Sequence, residues 1–301
     1  MHEGCLAGAV TLPLASMGDP EGDRQPFDRP VIDAHVHLFP ERVFEALWRW
    51  FDTHAWPIRY RLHAEQVIAF LLERGVERMV GLHYSHTPGM ARELNRFARD
   101  LAAAHSQVWM LGTVLPGEPD ARAIAREALE TYRLRGLKLH CHVQRVAPDD
   151  PRLDEIYRVC AELGRPVLIH AGREPASPAY GIDVRQICSA QAIRRVLERH
   201  PDLTLVVPHL GADEVADYGQ LLAEFPNLWL DTTMMLADYF PLPPTRAFVE
   251  RWGDRLLYGS DFPNLPYAWD RELRALGNLD LPDAVRQTIV RDNARRLFDR
   301  L

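Results

Sequence analysis

Short, almost uninterrupted apolar runs alternate along this chain with longer stretches in which apolar residues recur every three or four positions. The first pattern predicts strands buried on both faces, the second amphipathic helices. Strands are expected over 31–37 (VIDAHVH), 78–83 (RMVGLH), 108–114 (VWMLGTV), 136–140 (GLKLH), 166–170 (PVLIH), 203–209 (LTLVVPH), 228–232 (LWLDT) and 255–260 (RLLYGS). Helices are expected over 41–51, 63–74, 92–105, 120–134, 153–163, 190–198, 214–225 and 246–252, with two more near 268–277 and 282–299. Strands separated by helices imply parallel pairing. Eight such units predict an α/β chain folded as a closed (β/α)8 TIM barrel. One domain is expected over 30–301. Residues 1–29 are expected to be a loosely ordered N-terminal extension, because 16–30, SMGDPEGDRQPFDRP, are rich in Pro, Gly and charge.

Composition narrows the partners. Net charge is −7, from Lys+Arg 35 against Asp+Glu 42, and there is no long basic run. A nucleic-acid ligand is therefore not expected, and a small molecule is. Cys5, Cys141, Cys160 and Cys188 are scattered and form no metal-finger spacing, so they read as reduced thiols of a cytosolic protein. Residues 5–15 have the apolar character of a signal peptide, but the preceding MHEG lacks Lys and Arg. No apolar run approaches the ~20 residues that span a bilayer. Trp48, Phe51, Trp56 and Tyr60 read as core packing, as an apolar lid, or as the contact surface of a homodimer.

Candidate chemistry lies at the strand ends, since the C-terminal ends of barrel strands share one mouth. In order they carry His35 and His37, Lys138 and His140, His170, His209 and, just after the last strand, Asp261. Strict alternation would put Asp33, His35 and His37 on one face of the first strand and Ile32, Ala34 and Val36 on the other. Two imidazoles leaving one side of a strand can bind a divalent metal when further ligands converge on them. A lone buried histidine is usually a hydrogen-bonded core residue, but recurrence at matching topological positions argues for a site. Asp261, in YGSDFPN, is a turn cap, or else a metal ligand that accepts the proton of a metal-bound water. His209 could ligate a second metal, or polarise and protonate the substrate. Lys138 could be a salt-bridged lysine, a substrate-carboxylate binder, or a carboxylated lysine bridging two metals. Substrate contacts are assigned to His140, Arg173 and Tyr84, with His83, Gln144 and Glu174 behind them, while His86 and His142 read rather as solvated loop residues. Arg173 is the expected clamp for a carboxylate or phosphate.

Six pieces together resemble a known family: Asp33-Ala-His35-Val-His37, Gly136-Leu-Lys138-Leu-His140, Val167-Leu-Ile-His170-Ala-Gly172, Pro208-His209-Leu-Gly211, Tyr258-Gly-Ser260-Asp261-Phe-Pro263 and Asn293-Ala-Arg-Arg-Leu-Phe298. In this order they resemble the amidohydrolase superfamily, within it the amidohydrolase-related group that includes aminocarboxymuconate-semialdehyde decarboxylase. The resemblance implies a divalent metal, zinc as the expected ion, held by His35, His37, His170 and Asp261, with His209 catalytic. A second metal would draw on Lys138 and His209. The first functional expectation is hydrolysis of an amide, ester or lactone by a metal-activated water. The alternative is non-oxidative decarboxylation of an unsaturated or aromatic acid, and a third reading is a barrel that binds a ligand without turnover.

Overall fold

The computed structural model describes residues 15–238 and 243–299. Eight strands form: β1 Val31–His37, β2 Val76–Leu82, β3 Val108–Met110, β4 Leu137–His140, β5 Val167–His170, β6 Leu205–Val207, β7 Leu228–Asp231 and β8 Leu256–Leu257. All pair in parallel, in the orders β1-β2-β3 and β4-β5-β6-β7-β8. Two isolated parallel bridges, Gly112 with Leu137 and Val36 with Phe262, join these sheets at both seams. At the first seam Lys138 N–H donates to the Gly112 carbonyl at 2.7 Å, and at the second His37 N–H donates to that of Phe262 at 2.8 Å. The ring of eight strands is therefore continuous, and the expected TIM barrel is the fold. Several strands are shorter than their apolar runs, β3, β6 and β8 by four residues each. The backbone bends into the mouth loops before the run ends, and the apolar residues beyond stay buried without ladder bonds.

The barrel interior is filled by side chains from successive strands, among them Ile32, Ala34, Val80, Leu82, Trp109, Leu168, Val206 and Leu257, with Phe298 of the last helix against them. Each fully buried large apolar side chain contributes about 1.5–3 kcal/mol. The remaining strand faces pack on the helical layer. Here strict alternation along β1 fails. Ala34 belongs to the interior cluster, whereas Val36 packs in the outer one beside Val31. The register of β1 against β2 shifts between Asp33 and Val36, as at a β-bulge. One extra residue flips the phase of a strand, so β1 changes faces before its two histidines.

Residues 1–14 of the expected extension, including Cys5, lie outside the described residues. Residues 15–29 lie along the barrel and are tied to it: Ser16 N–H donates to the Pro266 carbonyl at 2.9 Å, and Gln25 N–H to that of Arg74 at 2.8 Å. Trp269 Nε1–H donates to the Gly22 carbonyl at 3.1 Å. This part of the extension is therefore not a loose tail. The remaining cysteines, Cys141, Cys160 and Cys188, are free and buried. Among the described residues no helix is long and apolar enough to cross a membrane.

Candidate active site

The strand-end residues meet in one cavity of about 1070 Å³ at the C-terminal end of the barrel. His35, His37, Lys138, His140, His142, His170, His209 and Asp261 line its floor, and Phe39, Trp50, Tyr84, Tyr180 and Arg145 its walls. Two groups have donor atoms close enough to hold a metal ion: His35 with His37 and Asp261, and His140 with His142 and His170. The structure thus divides the expected ligand set, placing His170 with His140 at the end of β4 and His142 just after it. The cause is register. His140 and His170 are paired residues of β4 and β5, and their rings stack at 4.1 Å.

Hydrogen bonds select the ring tautomers of these histidines. His35 Nδ1–H donates to Asp231 at 2.8 Å, which leaves the Nε2 lone pair facing Asp261 Oδ1 at 3.2 Å. Carboxylate and imidazole lone pairs repel unless a proton or a cation lies between them. His37 Nε2 lies 3.0 Å from the same oxygen, and its buried Nδ1 has no partner. Burial opposes charge on both sides, yet the two imidazoles hold the Asp261 carboxyl well below its ordinary range. Burial also disfavours charge on His35, but the attraction of Asp231 together with hydrogen bonds to Asp231 and Asp261 raises the pKa above its usual value. Two imidazole nitrogens and one ionised oxygen, desolvated and convergent, fit a divalent cation.

Asp231, which the sequence reading passed over, organises this floor. Its Oδ2 accepts from His35, while Oδ1 accepts from the His209 N–H at 3.0 Å and the Thr233 N–H at 3.2 Å. That second contact steadies an unusual backbone: His209, Leu210, Gly211 and Ala212 all have positive φ. A Cβ on Gly211 would overlap the Tyr218 ring at 1.9 Å, so only glycine fits there. His209 Nδ1–H donates to the Thr233 carbonyl at 2.9 Å, leaving Nε2 as its lone-pair nitrogen. Burial lowers its pKa to about 4. The sequence signal for Asp231 was present as an acidic residue closing the LWLDT strand.

Asp33 has a structural task. It accepts from Ser260 Oγ–H, from Ser260 N–H at 3.1 Å and from His35 N–H at 3.0 Å, locking β1 to the loop after β8. The expected clamp Arg173 does not line the cavity. It is held by Asp213 at 2.9 Å and Glu214 at 3.5 Å. Arg145, not singled out from the sequence, takes the wall position. His83 is a core histidine whose Nε2–H donates to the Leu111 carbonyl at 2.7 Å. Tyr84 lies edge-on to His140 with ring centroids 4.9 Å apart. Gln144 fixes the loop beneath, accepting from the His140 N–H at 3.0 Å and donating to the Ser85 and Val114 carbonyls at 3.0 and 2.8 Å.

Lys138 is fully buried, and its Nζ has no hydrogen-bond partner. Burial pushes its pKa down to about 8 against the pull of Asp231 and Asp261. Holding an unpartnered ammonium there costs about 3 kcal/mol near neutral pH. We therefore expect Lys138→Met to raise the melting temperature of the metal-free protein by several degrees. An unchanged or lower value in a thermal melt would mean that Nζ is already engaged, as in a carboxylated lysine.

Comparison with known proteins bears on the family and the fold. The amidohydrolase family model matches residues 32–300. No curated protein matches the chain. Among solved structures, an uncharacterized TIM-barrel protein of Bordetella bronchiseptica superposes with a TM-score of 0.71 at 21% identity, over 89% of this chain and 98% of the other. 5-Carboxyvanillate decarboxylase of Novosphingobium aromaticivorans, solved with manganese and 4-hydroxy-3-methoxy-5-nitrobenzoic acid, gives 0.63 at 17% identity over 94% and 99%. 2,6-Dihydroxybenzoate decarboxylase from Rhizobium gives 0.63 at 15% identity over 90% and 99%. At these identities the likeness concerns the fold. The family match extends over nearly the whole barrel, strand ends included, and on that ground the chain belongs to the amidohydrolase family.

Proposed function

We propose that this protein is a metal-dependent, non-oxidative decarboxylase of an aromatic or unsaturated carboxylic acid. The observation that carries the reading is the pairing of a His35–His37–Asp261 floor with a cavity walled by Phe39, Trp50, Tyr84 and Tyr180. Barrels of the same fold include the decarboxylases of 5-carboxyvanillate and 2,6-dihydroxybenzoate, which supports it. A divalent cation held by His35, His37 and Asp261 would supply Lewis-acid anchoring for the substrate's oxygen atoms.

The chain's own groups do the rest. The aromatic walls stack a planar ring and exclude water from it. Arg145 lines the cavity and makes no ion pair with any described carboxylate, so its guanidinium is available to an anionic substituent. Loss of carbon dioxide leaves an electron pair on the ring carbon, and one proton must replace the departing group. Asp261 is the carboxylate that lines the cavity, and it rests ionised, so we assign it a relay: it takes up one proton from water and delivers it to that carbon. His209, held neutral, presents a lone-pair nitrogen that can accept from a substrate hydroxyl.

Hydrolysis would draw on the same floor, but aromatic walls are not required by an amide, ester or lactone as such. The reading is tested by incubating manganese- or zinc-loaded protein with a panel of hydroxylated benzoates and unsaturated acids. Carbon dioxide and the decarboxylated product are expected in equal amounts. Turnover of esters or lactones, with no carbon dioxide from any acid of the panel, would overturn it.

A further inference from the structure

At the end of the barrel opposite the mouth lies a second cavity, of about 580 Å³, lined by Leu129, Glu130, Arg133, Arg135, Leu163 and Arg165. Its arginines are brought together by sheet register. Leu137 of β4 pairs with Val167 of β5, and Arg135 and Arg165 each stand two residues upstream of these partners. Parallel neighbours are about 4.8 Å apart, so the two side chains leave adjacent strand starts; they line one cavity, and Arg135 acts electrostatically on Arg165. Arg133 reaches the same cavity from a left-handed backbone position, φ 55°.

Like charges this close destabilise a fold unless something lies between them. The nearby carboxylates are engaged elsewhere: Arg126 takes Glu130 at 2.9 Å and also binds Glu162. Asp299 acts on Arg135 only at longer range and is opposed by Arg78. Among the described residues none of the three arginines forms an ion pair. Moreover, Nη1 of Arg135 and Nη1 of Arg165 are both buried without a hydrogen-bond partner. Donor atoms withdrawn from water are normally satisfied in native proteins, so two such nitrogens, on half-exposed arginines that line one cavity, point to an acceptor there.

We infer that Arg133, Arg135 and Arg165 form a binding site for a phosphate group, remote from the reaction. Three guanidinium forks offer more donors than the two oxygens of a carboxylate can accept, and they match the several oxygens of a tetrahedral dianion. Leu129 and Leu163 give the cavity an apolar side, with room beyond the phosphate for an organic substituent. Because this end of a barrel governs stability rather than chemistry, the bound anion acts as a clamp between β4 and β5.

The experiment uses the metal-loaded full chain at constant ionic strength, titrated with inorganic phosphate, phenyl phosphate or acetate and followed by calorimetry and thermal melts. Saturable one-to-one phosphate binding is expected, with a melting-temperature rise of about 5 °C at a hundredfold excess over Kd. R135Q/R165Q should weaken it at least 30-fold, R133Q about 5-fold, and acetate should bind at least 10-fold more weakly than phosphate. Tighter binding of phenyl phosphate would identify a phosphate ester as the natural ligand, and equal binding free phosphate. A shift that does not saturate, acetate binding as tight as phosphate, or an affinity unchanged in R135Q/R165Q would overturn the inference. Phosphate held at the catalytic mouth would give that last result. Should the double variant not fold, unchanged binding by R133Q is the overturning result.

Discussion

Asp261→Asn should lower kcat for decarboxylation by about 10³-fold while leaving the melting temperature within a few degrees. The two halves of this expectation rest on different atoms. Asp261 sits at φ 72°, a left-handed conformation that asparagine adopts as readily as aspartate. Its N–H still donates to the His35 carbonyl at 2.9 Å in the variant, so the loop after β8 keeps its course. What disappears is the ionised oxygen between His35 and His37, and with it the group that can carry a proton. Metal content should be measured beside turnover, because a neutral amide is a weaker ligand than a carboxylate. Activity within tenfold of the wild type, at full metal occupancy, would remove Asp261 from the proton path.

Removal of the metal by a chelator should abolish turnover, and manganese or zinc should restore it. Metal binding should also be pH-dependent in a defined direction. In the metal-free protein a proton can occupy the position between His35 Nε2 and Asp261 Oδ1, and the raised pKa of His35 expresses that occupancy. A cation must displace this proton, so metal affinity rises with pH until His35 is fully deprotonated. The stability sign follows. The His35 contribution of the metal-free protein is complete below the unfolded pKa of about 6.5 and is lost as pH climbs through the higher folded value. The contribution of Asp261, whose folded pKa is depressed, is present above the unfolded value near 3.8 and lost as pH falls through the lower one. Loading with metal should therefore raise the melting temperature more at pH 8 than at pH 6. Equal increments at both pH values, or full activity after exhaustive chelation, would contradict a metal held by this cluster.

The amino-acid sequence by itself determined the succession of strands and helices, because uninterrupted apolar runs and helical spacing are local properties of the chain. It also determined which residue types stand at the strand ends. His35, His37, Lys138, His140, His170, His209 and Asp261 all line the one cavity, since parallel strands in a closed ring must present their C-terminal ends together. Tertiary structure decided everything that depends on register, bulges and which carboxylate meets which cation. The bulge in β1 breaks strict alternation between Ala34 and Val36, and no periodicity count reveals where one residue is inserted. His170 stacks on His140 because β4 and β5 pair at that level, a contact across 30 residues of sequence. Asp231 reaches His35 across 196 positions and Arg173 is taken by Asp213 across 40, so the first joins the floor and the second leaves the mouth to Arg145. Side-chain pairings of this kind are set by the closure of the barrel, whose geometry no single stretch of sequence contains.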